Sequence, residues 1–72
     1  MSEQKTLIYG KMVSHDDSVS AGMYFLSRQV SMEEAKVFFD EAYNKGYSLF
    51  QDHLGYHYKL IHHNGEYQLV KP

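Results

Sequence analysis

Apolar side chains recur about every 3.6 residues between Ser31 and Gly46, which is typical of an amphipathic α-helix. The apolar face carries Ala35, Phe38, Phe39 and Ala42. The opposite face is charged and polar, with Val37 as its apolar exception. The pattern predicts a helix over residues 31–46 whose apolar stripe packs against the rest of the domain.

Both ends of this helix carry residues that favour a start and a stop. Ser31 and Glu34 match the Ser-x-x-Glu capping box, in which each side chain accepts a hydrogen bond from the other residue's amide. Lys45 suits the negative end of the helix dipole, and Gly46 can adopt the left-handed conformation that ends a helix. Glu41 stands four residues before Lys45, so the two charges can pair across one turn.

The segment before the helix predicts two strands and a loop. Residues 5–13 are rich in types that favour a strand, and Gly10 within them predicts a bulge. Residues 14–22 predict a loop, because Ser and Asp side chains bond to their own backbone. Residues 23–30 predict a second strand, paired with the first as an antiparallel hairpin.

Three more strands are predicted after the helix, over residues 47–52, 56–63 and 66–71. Asn64-Gly65 favours a two-residue type I′ turn, because both residue types accept a positive φ. Such a turn fixes the register of the last two strands. The expected pairs are His63 with Glu66, His62 with Tyr67, Leu60 with Leu69, and Lys59 with Val70.

This register sorts the side chains, because neighbours along a strand point to opposite faces. The face expected beneath the helix carries Tyr56, Tyr58, Leu60, His62, Tyr67 and Leu69. The other face carries His57, Lys59, Ile61, His63, Glu66, Gln68 and Val70. The predicted fold class is α+β: a single small domain of ββαβββ order, with one mostly antiparallel sheet and the helix packed across one face.

Length and composition place limits on this domain. The 72 residues suffice for one small domain over residues 5–72, after a flexible N-terminal tail at residues 1–4. The chain has no cysteine and no apolar run near the roughly 18 residues of a membrane span. Its start is too polar for a signal peptide, so we expect a cytoplasmic protein that makes no membrane contact.

No motif in the chain predicts catalysis. Ser14, His15, Asp16 and Asp17 are sequence neighbours, whereas catalytic triads converge through tertiary structure. The five histidines lack the spacing that brings imidazoles to one metal ion, and no glycine-rich phosphate loop precedes the helix. The sequence therefore predicts no enzyme, no cofactor and no metal site.

The solvent face of the last two strands is the candidate site. Ile61 and Val70 lie diagonally close there, and His57, Lys59, His63 and Gln68 flank them. Apolar residues on an uncovered sheet face indicate either a half-solvated surface or a surface that another protein covers. The leading hypothesis is a non-catalytic module that binds a protein partner, as a homodimer or as a small regulatory or inhibitory protein.

Two other functions stay open. The seven tyrosines suggest single-stranded nucleic-acid binding, with Tyr9 and Tyr24 stacking on bases and Lys59 and Lys71 contacting phosphates. The formal net charge of −2 and the scattered basic residues oppose that hypothesis. The five histidines suggest a module that responds to pH or metal, because protonation of all of them would reverse the sign of the net charge.

Overall fold

The computed structural model describes residues 3–72, which form one five-stranded sheet with helices on one of its faces. The strands are β1 (Gln4–Ile8), β2 (Lys11–His15), β3 (Tyr47–Gln51), β4 (His57–His63) and β5 (Glu66–Val70). The α-helices are α1 (Ser20–Tyr24) and α2 (Met32–Lys45). The predicted α+β class is confirmed. Of the predicted tail, Met1 and Ser2 lie outside the described residues, and Gln4 already belongs to β1.

Helix α2 forms as its sequence predicts. The Ser31 hydroxyl accepts from the Glu34 amide and the Glu34 carboxylate accepts from the Ser31 amide, so the capping box is complete. Gly46 ends the helix at φ 94°, and Lys45 lies 3.0 Å from Glu41. The helix buries Ala35, Phe39 and Ala42 and half-buries Phe38 against the sheet, and Val37 points into solvent.

The strand order is β1-β2-β5-β4-β3, and three of the four neighbouring pairs are antiparallel. The β4–β5 register matches the prediction at all four pairs, from His63 opposite Glu66 to Lys59 opposite Val70. Asn64 and Gly65 both have positive φ, 53° and 80°, as a type I′ turn requires. The parallel pair, β2 with β5, joins the N-terminal hairpin to the C-terminal strands.

The predicted single strand over residues 5–13 is wrong, because the chain reverses at Tyr9 and Gly10. Both residues have positive φ, 49° and 82°, so they form a tight turn between β1 and β2 rather than a bulge. A positive φ is unfavourable for a tyrosine. The Tyr9 hydroxyl donates to the Val30 carbonyl oxygen at 3.2 Å, which helps to hold the turn in place.

The predicted loop and second strand, residues 14–22 and 23–30, are also wrong. Strand β2 runs on to His15, a 3₁₀ turn follows at Asp17–Val19, and α1 continues into a π-helical turn at Phe25–Gln29. The reason is the burial pattern. Val19, Gly22, Met23 and Leu26 are all buried, and their i, i+3, i+4, i+7 spacing belongs to a helix. Tertiary packing thus overrides the β propensity of the Met-Tyr-Phe-Leu segment.

The core lies between the sheet and the helical layer. Its largest fully buried side chains are Phe39, Ile8, Leu26, Leu60, Leu69, Val13 and Val19. The predicted core face is wrong at Tyr56, which precedes β4 and is 63% exposed.

Within residues 3–72 no helix has the length and apolar character needed to cross a membrane.

Helix α1 lies very close to the sheet at Gly22. A Cβ atom there would lie 2.7 Å from two ring carbons of Tyr58 on β4. That ring cannot easily move aside, because Tyr58 is buried, packs on Phe50 at 5.6 Å between centroids, and donates its hydroxyl to Asp52. The absence of a side chain at Gly22 therefore sets how near α1 lies to the sheet.

We predict that Gly22→Ala lowers the free energy of unfolding. Overpacking against Tyr58 costs about 1–3 kcal/mol, and the better helix propensity of alanine returns at most about 1 kcal/mol. Urea denaturation of wild type and variant measures the difference. As a control, Gly22→Ala in a Tyr58→Leu background meets no ring and should be neutral or stabilising. Equal losses in both backgrounds would contradict the close approach.

Asp52 organises the connection between β3 and β4. One carboxylate oxygen accepts from the amides of Leu54 and Tyr56, at 2.9 and 3.0 Å, and the other accepts from the Tyr58 hydroxyl at 3.1 Å. Partial burial by itself raises the pKa of Asp52, but these hydrogen bonds outweigh it and hold the pKa below the ordinary 3.8. Burial, followed by the hydrogen bond to Asp52, raises the pKa of the Tyr58 hydroxyl.

The Asp52 contacts predict part of the acid sensitivity of the fold. A carboxyl group whose folded pKa is depressed stabilises the protein above its unfolded pKa, here 3.8, and this stabilisation is lost as pH falls through the folded pKa. We expect Asp52→Asn to lower the melting temperature at neutral pH and to flatten its dependence on pH below about pH 4. Tyr58→Phe, which removes one hydrogen bond, should give an intermediate slope. An unchanged slope in Asp52→Asn would contradict the role of this carboxylate.

Candidate functional site

The sheet has one face against the helices and one face that no element of residues 3–72 covers, here called the outer face. Its members alternate along all five strands with the residues that face the helices. They are Lys5, Leu7, Met12, Ser14, Tyr47, Leu49, Gln51, His57, Lys59, Ile61, His63, Glu66, Gln68 and Val70.

All six residues of the predicted partner-binding set lie together on this face. Lys59, Ile61 and Val70 are half-buried by their neighbours, whereas His57, His63 and Gln68 are exposed. The pairing of Lys59 with Val70 and of Ile61 with Gln68 brings Ile61 and Val70 diagonally together, as the register predicts.

The outer face is more apolar than the sequence pattern indicates. Leu7, Met12, Tyr47 and Leu49 join Ile61 and Val70, and Leu7 and Leu49 are 63% and 57% exposed. Tyr47 pairs with Ile61 and Leu49 with Lys59, so strand alternation in β3 is the signal that could have found them. The β1–β2 hairpin places Leu7 and Met12 on this face, and the sequence pattern does not reveal the turn that forms this hairpin.

A shallow depression of about 120 Å³ lies near the middle of the outer face. The residues that line it are Glu3, Ser14, Ile61, His63, Glu66, Tyr67 and Gln68. Ser14 is buried although it belongs to this face, because the larger side chains of β1 and β5 surround it. The centre of the face can therefore receive a side chain from an opposing surface.

Several polar groups on the outer face already have a partner on the protein. The Lys59 ammonium lies 5.2 Å from the centroid of the Tyr47 ring, a cation–π contact. The Gln51 amide nitrogen lies 3.1 Å from a ring nitrogen of His57. His63 makes a similar contact with Asn64. What the face offers to an outside molecule is thus mainly its apolar surface.

The residues proposed to bind nucleic acid do not share one surface. Tyr24 lies on α1, on the helical side of the sheet, whereas Lys59 lies on the outer face. Tyr9 lies in the β1–β2 turn, and its hydroxyl bonds to the Val30 carbonyl oxygen. Lys71 follows β5 at the end of the chain. A base stacked on Tyr24 would therefore be separated from Lys59 by the sheet.

The histidines are spread over the molecule. His57 and His63 belong to the outer face, His53 packs edge-on to Phe25 at 5.2 Å, and His15 is buried with a ring nitrogen 3.0 Å from the Thr6 hydroxyl oxygen. The His62 ring packs between Tyr43 and Tyr67 at tilted angles, and within residues 3–72 no group forms a hydrogen bond with this ring. Residues 3–72 contain no group of three or more His, Cys, Asp or Glu side chains arranged to hold a metal ion.

Comparison with known proteins gives no further guide to function. The chain matches no protein-family model, no curated protein and no solved structure.

Proposed function

We propose that the protein is a non-catalytic binding module, that the outer face is its binding surface, and that its partner is a second copy of the chain. The observation that carries the proposal is the apolar surface on an uncovered sheet, which forms two groups. Leu7 and Met12 pair on the β1–β2 hairpin, and Tyr47, Leu49, Ile61 and Val70 lie together on β3, β4 and β5, with Ser14, Gln68 and Glu66 between the groups. Exposed apolar surface of this kind is typical of protein interfaces.

The size of the outer face supports a dimer. A standard interface covers about 800 Å² on each partner. The accessible surface is 4822 Å² and the molecule measures 25 × 25 × 22 Å, so one of its six sides holds roughly 800 Å². Two sheets packed face to face across an interface of this area would resemble a β-sandwich, with the sheets about 10 Å apart.

The charges of the outer face also suit a second copy. The face carries Lys5, Lys59 and Glu66, and Glu3 lines its depression, so its charges balance and it does not repel itself. Lys59 and Glu66 lie towards opposite ends of the β4–β5 pair, on either side of Ile61. A two-fold axis in the interface that crosses the strands near Ile61 would bring the Lys59 end of one copy over the Glu66 end of the other.

We predict that the wild-type protein dimerises at micromolar to submillimolar concentration and that Val70→Asp weakens the dimer at least tenfold, because a buried unpaired carboxylate is costly. Val37→Asp is the matched control: it makes the same substitution on α2, at a side chain that is 62% exposed on the opposite side of the molecule. Sedimentation equilibrium measures both. A wild type that stays monomeric at about 1 mM, or equal effects of the two variants, would refute the dimer.

A charge exchange tests the proposed orientation. Lys59→Glu alone and Glu66→Lys alone should each weaken the dimer, because each places like charges at both ends of the interface. The double variant restores the complementary pattern and should recover most of the affinity. If the double variant loses as much binding free energy as the two single variants combined, the two-fold arrangement is refuted and a different protein on this face is favoured.

A further inference from the structure

A second surface, on the helical side of the sheet, has a different chemistry. An open cleft of about 450 Å³ lies between the two tight turns, at Gly10 and Gly65, and the second half of α2. Lys11, Asp40, Tyr43, His62 and Tyr67 line it. Its volume falls within the usual range for small-molecule sites, about 300–1,000 Å³. The cleft does not depend on the proposed dimer, although Met12 borders both surfaces.

Tyr67 forms the floor of the cleft. Only 8% of it is exposed, and its ring packs edge-on to Phe39 at 4.9 Å between centroids. No side chain or backbone group of residues 3–72 forms a hydrogen bond with its hydroxyl, which is accessible in the cleft rather than sealed in the core. Burial, followed by the charge of Asp40 and the nearby Tyr43, raises the pKa of this hydroxyl, so it stays a neutral donor at physiological pH.

One wall of the cleft is aromatic. The ring of His62 lies 4.9 Å from the Tyr43 ring, at an interplanar angle of 58°, and 5.0 Å from the Tyr67 ring, at 55°, so the three rings form a continuous aromatic cluster. Such a cluster offers both apolar contact area and the electron-rich ring faces that attract organic cations. The register of the β4–β5 hairpin pairs His62 with Tyr67 directly.

The remaining polar groups in the cleft have opposite charges. Asp40 extends from α2 and Lys11 from β2, and neither forms an ion pair, since the one ion pair within residues 3–72 joins Lys45 to Glu41. A ligand with a positive charge alone would meet the Lys11 ammonium, and a ligand with a negative charge alone would meet the Asp40 carboxylate. A ligand that carries both charges satisfies both side chains.

We infer that this cleft binds a small zwitterion of the amino-acid class that has an aromatic side chain. The ligand ammonium pairs with Asp40, the ligand carboxylate pairs with Lys11, and the ligand ring packs against the aromatic wall at Tyr43 and His62. The unpartnered Tyr67 hydroxyl donates a hydrogen bond to the ligand from the floor of the cleft.

The test uses L-phenylalanine as the probe, titrated into isotope-labelled full-length protein at neutral pH and followed by NMR. We expect saturable shifts of the Tyr43, His62 and Tyr67 signals, with a dissociation constant on the order of 1 mM. 2-Phenylethylamine lacks the carboxylate and 3-phenylpropionate lacks the ammonium, so each should bind about tenfold more weakly or worse. No saturation up to about 20 mM, or equal binding of all three compounds, would overturn the inference.

Two variants test the two charged contacts of the ligand separately. Asp40→Asn should weaken L-phenylalanine about tenfold but should not weaken 3-phenylpropionate, and Lys11→Gln should weaken L-phenylalanine while sparing 2-phenylethylamine. Glu33→Gln and Lys71→Gln remove like charges outside the cleft and serve as matched controls that leave binding unchanged. Circular dichroism confirms that each variant is folded. Equal losses in the controls and in the cleft variants would show nonspecific electrostatics and overturn the inference.

Discussion

The two-residue turn at Asn64 and Gly65 constrains more of the structure than any other contact. It sets Leu60 directly across from Leu69, and both side chains are almost fully buried in the middle of the sheet. Strand β5 lies between β4 and β2, so the strand that this turn positions forms pairs along both of its edges. A slip of one residue would move Lys59 and Glu66 into the core. Both candidate surfaces depend on this pairing, which keeps Ile61 on the outer face and brings His62 beside Tyr67 in the cleft.

The elements that could be predicted from the sequence are those whose signals are local. A capping box, a terminal glycine and a helical period define α2 within one segment, and Asn64-Gly65 defines the last hairpin. The α1 region could not be predicted in this way because its local signals conflict. Its Met-Tyr-Phe-Leu segment favours a strand. The helical conformation is stabilised instead by the burial of Val19, Met23 and Leu26, and the missing side chain at Gly22 lets α1 approach Tyr58.

The candidate site was also predictable only where the signals are local. The β4 and β5 residues of the outer face follow from the turn, so Ile61 and Val70 are found where the alternation places them. Leu7 and Met12 could not be found, because the β1–β2 reversal requires a tyrosine at positive φ, a conformation that no propensity favours. The parallel pairing of β2 with β5 that carries this hairpin onto the sheet joins residues more than 50 apart in the chain, and local pattern holds no information on it.

The two surfaces differ in what they leave unsatisfied, and this difference indicates what each can bind. On the outer face several polar groups have partners on the protein, as Lys59 has in Tyr47, and an incoming surface gains chiefly by burying apolar area. That gain grows with area and therefore favours a macromolecular partner. In the cleft the Tyr67 hydroxyl and the charges of Asp40 and Lys11 have no partner among residues 3–72. Because several polar groups converge beside a small aromatic wall, the affinity of a ligand depends on how well it matches their positions rather than on its size. This favours a small molecule.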